Sequence, residues 1–121
     1  MPTNPLRYDE IRPSSFGRKA RECLPCIERE LFIKECAENG ESTIGIRQKN
    51  RYIDEFLRFV NEKYGFYAPK KLTKKHFDAY QHTIIEDKYI SNSTKSNKIS
   101  KARIWLQWLY ARGDLKHSCV V

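Results

Sequence analysis

A chain of 121 residues, 40% of them hydrophobic, is long enough for one modest core and too short for two domains. Six Phe, seven Tyr and two Trp argue against disorder, and no apolar run approaches the roughly 20 residues that span a bilayer. The formal charge of +8 at pH 7 favours an anionic partner, of which nucleic acid is the commonest. That charge is unevenly placed. Residues 1–40 hold seven Lys/Arg and seven Asp/Glu, whereas residues 41–121 hold sixteen basic residues against eight acidic ones.

Residues 1–20 contain three prolines and no sustained period, which predicts a flexible lead-in. The opening, MPTNPLRYDEIRP, has no apolar signal core, so an intracellular, cytoplasmic location is expected and the four cysteines should be reduced. A first helix is predicted from about Arg21 to Glu38, with Pro25 in its first turn. Its inward face would be Cys23, Cys26, Ile27, Leu31, Ile33 and Cys36. Asn39-Gly40 ends it.

Ser42 or Thr43 caps a second helix, whose inward face is Ile46, the stem of Lys49, Ile53, Phe56, Leu57, Val60 and Tyr64. Tyr64-Gly65 stops it, and Phe66 to Leu72 form a loop around Pro69. Thr73 caps a third helix running to about Asp87, with Phe77, Tyr80, Ile84 and Ile85 inward. After a short connection, Ser91 or Ser93 caps a fourth helix that buries Ile99, Ala102, Leu106, Leu109 and Tyr110 and closes at Gly113. Nothing alternates with period two. The expectation is an all-α four-helix bundle.

Two helix faces carry the candidate chemistry. The outer face of the second helix has Arg47, Gln48, Arg51 and Arg58, with Lys49 nearby, interrupted by Asp54 and Glu55. The outer face of the fourth has Lys95, Asn97, Lys98, Lys101 and, at its edge, Arg103; no acidic residue occurs from Tyr89 to Gly113. A helix fits the major groove of B-DNA. There Lys and Arg meet phosphates or guanine edges, and Asn and Gln pair with adenine. A solvated helix face is the plainer alternative for either face taken singly.

Other constellations are weaker. Cys23-Leu-Pro-Cys26 has no preceding strand to suit a redox site and no second close pair to suit zinc, so its cysteines read as core residues. His76, His82 and His117 are scattered, and adjacent Asp54 and Glu55 point different ways on a helix. No cofactor, metal or catalytic apparatus is expected. Trp105 and Trp108, three residues apart, suit helix packing better than base stacking.

The order of these signals resembles the N-terminal core-binding (SAM-like) domain of tyrosine recombinases and phage integrases. The residues concerned are Glu38-Asn-Gly-Glu-Ser-Thr43, then Arg47-Gln-Lys-Asn-Arg-Tyr-Ile-Asp-Glu-Phe-Leu-Arg-Phe59, Leu72-Thr73 and Phe77-Asp-Ala-Tyr80. Ser91-Asn-Ser-Thr-Lys-Ser-Asn-Lys-Ile-Ser-Lys-Ala-Arg103, Trp105-Leu-Gln-Trp-Leu-Tyr110 and Gly113-Asp-Leu115 follow in order. The resemblance covers about Cys23 to Leu115. It implies a SAM-like bundle over residues 21–115, flanked by the lead-in 1–20 and a tail 116–121, that clamps one face of a double-stranded recombination site. The second and fourth helices would approach the major groove, through Thr43, Arg47, Gln48 and Arg51 and through Lys95, Lys98, Ser100, Lys101 and Arg103. The family's catalytic domain, with its His-x-x-Arg and nucleophilic Tyr, would follow Leu115, and no His-x-x-Arg occurs in this sequence. The implied activity is DNA binding in integration and recombination without strand cleavage. The implied partners are duplex DNA, the parent recombinase's catalytic domain and other recombinase protomers, with a monomer in isolation. A protein-interaction module that modulates an intact recombinase is the alternative, its patch formed by Ile104, Trp108 and the Cys-Val-Val tail at 119–121; a zinc or redox protein and an RNA binder stand further off.

Overall fold

The computed structural model describes residues 22–119; the lead-in 1–20, Arg21, Val120 and Val121 lie outside the described residues. Four α-helices follow in order: α1 (Ile27–Glu38), α2 (Thr43–Tyr64), α3 (Lys74–Glu86) and α4 (Asn92–Arg112), with a 3-10 turn at Pro69–Lys71 between α2 and α3. The described residues contain no strand, so the all-α bundle expected from periodicity is present.

The boundaries follow local chemistry. Ser42 is extended and its hydroxyl accepts the N–H of Gly45 at 3.1 Å, relieving one of the unpaired donors at the start of α2. Ser91 does the same for the N–H of Thr94 at 3.1 Å and starts α4. Gly65 and Gly113 end these helices at φ 82° and 87°, left-handed conformations that side chains other than glycine resist. At α3, His76 reaches back so that its Nδ1 accepts the Thr73 N–H at 2.9 Å.

α2 packs against each of the other three helices, as does α4. Ile53, Phe56, Leu57 and Val60 of α2 are fully enclosed, against Phe77 and Tyr80 of α3 and Ala102, Trp105, Leu106 and Leu109 of α4. Phe56 sits edge-on to both Phe77 (6.4 Å) and Tyr80 (5.1 Å). Each large apolar side chain buried in this way stabilises the fold by about 1.5–3 kcal/mol. Leu115 and Cys119, beyond α4, also enter the core.

The first helix departs from expectation. It begins at Ile27 rather than near Arg21, because proline disfavours helical backbone in the residue before it and the segment Glu22–Leu24 is held elsewhere. Asp54 Oδ1 accepts the Leu24 N–H at 2.7 Å, and Arg29 Nη1 donates to the Leu24 carbonyl at 2.5 Å. The face that turns inward is Cys26, Arg29, Phe32 and Cys36, while Ile27 is 71% exposed, Leu31 is 41% exposed, and Cys23 and Ile33 are only half-buried. A buried arginine disguised the true phase. Ile85 and Tyr110, expected inward, are exposed, and Trp105 takes the central place in α4.

Candidate nucleic-acid interface

α2 and α4 meet along one flank, and Tyr52, buried at their seam, organises it. The Arg51 guanidinium lies 5.3 Å from the centre of the Tyr52 ring, and the Lys98 ammonium, arriving from α4, lies 5.0 Å from the same ring. The electron-rich ring attracts both cations and so draws charge from two helices to one place. Gln48 lies one turn before Tyr52 on α2, and Lys101 follows Lys98 by three residues on α4; both are half-buried. Arg47 is exposed beside Gln48 and makes no ion pair with any described residue.

The strip is tempered by acid. Lys98 Nζ donates to the Glu55 carboxylate, so its charge is already matched within the domain. Lys49 is likewise committed: it donates to Glu41 Oε1 at 2.5 Å and lies 5.7 Å from the Phe32 ring. That hydrogen bond from Lys49 is the main cause holding the Glu41 carboxyl below its ordinary range, and the nearby charge of Lys101 adds to it. The cations best placed to meet an outside anion are therefore Arg47, Arg51 and Lys101.

The other residues expected at the interface divide. Thr43 is exposed at the first position of α2, outside the seam. Asn97 and Ser100 are half-buried on α4. Lys95 is occupied, donating to the Ile85 carbonyl at 2.7 Å and so tying the first turn of α4 to the unpaired C-terminal end of α3. Arg103 lies about 140° around α4 from Lys98. It is directed towards α3, 6.0 Å from the Phe77 ring, and does not share the strip with Lys98. Arg58, placed by sequence on the outer face, instead donates to Asp54 Oδ2 at 2.7 Å and to the Glu22 carbonyl. Asp54 does not interrupt the basic face at all, because it is only 5% exposed and points inward.

The cysteines sit in packing positions. Cys26, Cys36 and Cys119 are buried, and burial raises all three thiols above their usual range, Cys119 to about 11. Among the described residues, no three His, Cys, Asp or Glu side chains gather as a metal-ligand set. No helix among them is long and apolar enough to cross a membrane. Trp108 is held in the α1–α4 seam: its indole N–H donates to Glu35 Oε1 at 2.8 Å, and its ring meets Phe32 at 5.2 Å and the Arg112 guanidinium at 4.5 Å. With Cys119 buried as well, the apolar patch expected around Trp108 and the tail reduces among the described residues to Ile104.

Sequence reasoning missed Tyr52 and the partner of Glu55. The signal for Tyr52 was its place beside Arg51 and four residues before Phe56, at the edge of the apolar face. Nothing local reveals that Glu55 meets a lysine 43 residues away. Comparisons with protein families, with curated proteins and with solved structures each returned no match.

Proposed function

We propose that this domain binds double-stranded DNA as the non-catalytic core-binding part of a site-specific tyrosine recombinase, laying the α2–α4 flank against the duplex. The observation that carries the proposal is the convergence of Arg51 and Lys98 on Tyr52, with Arg47, Gln48 and Lys101 beside them. Arg47, Arg51 and Lys101 meet phosphates, while Gln48 and Asn97 supply amide groups of the kind that read adenine in the major groove. Strand cleavage belongs to a catalytic domain with which this one pairs. A half-clamp of this kind binds with a Kd of about 10⁻⁴ to 10⁻⁶ M at physiological salt.

The test is fluorescence anisotropy of a labelled duplex at several salt concentrations, for the wild type and for Arg47→Ala/Arg51→Ala/Lys101→Ala. Removing a cation that neutralises one phosphate lowers the slope of log K against log salt by about 0.9, so the triple variant should drop by about two to three units. A slope equal to that of the wild type would remove the flank from the interface. A second reading, a protein-interaction module acting on an intact recombinase, is favoured by exposed Ile27 and Leu31, one turn apart on α1. Light scattering that shows a monomer with no affinity for the intact recombinase would dismiss it.

A further inference from the structure

The corner between α2 and α3 lies outside the α2–α4 flank and is richer in lysine. From Lys63 to Phe77 there is no acidic residue, while Lys63, Lys70, Lys71, Lys74 and Lys75 are all present and all exposed. Lys63, from the last turn of α2, and Lys75, from the first turn of α3, approach the same Tyr64 ring at 5.8 and 5.5 Å. Lys70 and Lys71 stand on the 3-10 turn between these helices. Among the described residues, Lys74 alone of the five has a carboxylate, Asp78 at 2.9 Å. Lys63 is eight residues beyond Glu55, about 12 Å further along α2.

Folding does not explain this charge. The first turn of α3 carries lysines and no acidic residue, the sign that the helix dipole disfavours there. We infer that the corner is a second docking surface for a nucleic-acid backbone. The inference rests on the proposal that the partner is nucleic acid. The composition of the two surfaces sets their roles. The α2–α4 flank combines Arg with Gln and Asn, groups that form directional hydrogen bonds to base edges. The corner offers lysines without a single arginine, point charges that neutralise phosphates without regard to sequence. Tyr64, Phe66 and Tyr67 in this corner are half-buried, Tyr64 beneath Lys63 and Lys75. That leaves no exposed apolar side chain among residues 63–77 to enter a lipid surface.

The experiment compares Lys70→Ala/Lys71→Ala/Lys75→Ala with Arg47→Ala/Arg51→Ala by anisotropy on two duplexes of different sequence between 50 and 200 mM salt, the range over which such binding weakens strongly. None of these five residues carries an ion pair among the described residues, so thermal melting should match the wild type and report an intact fold. The expected result is a salt slope lowered by about two to three units in the corner variant, with the preference among duplex sequences unchanged. A corner variant with the wild-type slope, when the flank variant is weakened, overturns the inference and leaves the flank reading standing. A weakened corner variant beside an unaffected flank variant does the reverse. Loss of binding to phosphatidylserine vesicles with DNA binding unchanged would reassign the corner to a membrane surface and overturn the inference, and so would a wild type that binds no DNA at low salt.

Discussion

Replacing Asp54 with alanine should remove a large fraction of this domain's stability and leave the proposed DNA surface untouched. Asp54 is 5% exposed and gathers three partners: the Leu24 N–H at 2.7 Å, Arg58 Nε at 2.7 Å, and Arg29 Nη1 at 4.0 Å. Arg29 is itself 5% exposed, with its Nε donating to Asn50 Oδ1 at 2.8 Å, so it cannot turn to water when its counter-charge is removed. Breaking a buried pair by removing one member costs about 3–5 kcal/mol, because the other charge stays uncompensated. Arg58 is partly exposed and can rehydrate, so its share is small. The expected loss is about 3–4 kcal/mol, against a total of about 5–15 kcal/mol for a domain of this kind. Urea denaturation followed by far-ultraviolet circular dichroism measures it. A loss below about 1 kcal/mol would refute the reasoning, since it would mean that Arg29 finds water or another partner. A double variant, Arg29→Met/Asp54→Leu, should lose less than either single charge removal, because no orphaned ion remains. For the folded fraction, Asp54→Ala should leave DNA affinity as it is, contrary to what its place in the sequence suggests.

Two further outcomes follow from single interactions. Burial, aided by the charge of Lys75, holds the His76 imidazole below its ordinary pKa, and its Nδ1 must stay unprotonated to accept the Thr73 N–H. The unfolded chain therefore takes up the proton first as pH falls. Stability from this group is complete above about pH 6.5 and is lost progressively below it, a loss that thermal melting between pH 7.5 and pH 5 should show and that His76→Ala should flatten. Glu55→Gln removes a negative charge from the α2–α4 flank and releases Lys98. DNA affinity at low salt should rise about two- to fivefold, in keeping with the small worth of a partly exposed pair, and unchanged or weaker binding by anisotropy would place Lys98 outside the interface.

Much of the architecture was legible because it depends on neighbours in sequence. Ser42, Gly65, Ser91 and Gly113 mark helix ends through bonds and backbone angles within a turn of themselves, and the spacing of Ile53, Phe56, Leu57 and Val60 fixes the inward face of α2. The basic faces of α2 and α4 were visible for the same reason. What charge does inside the bundle was decided by tertiary structure. Arg29 and Asp54 are 25 positions apart and Lys98 and Glu55 are 43 apart, so no local pattern announces that the first pair is buried and the second restrained. The same holds for Arg58 turned to the Glu22 carbonyl, Lys95 tied to the end of α3, and Arg103 directed towards Phe77. Charged residues read as surface from sequence because burying an unpaired charge is prohibitive. Only the fold supplies the partners that offset this penalty, and so only the fold separates the cations that hold the bundle together from those left to meet an outside anion.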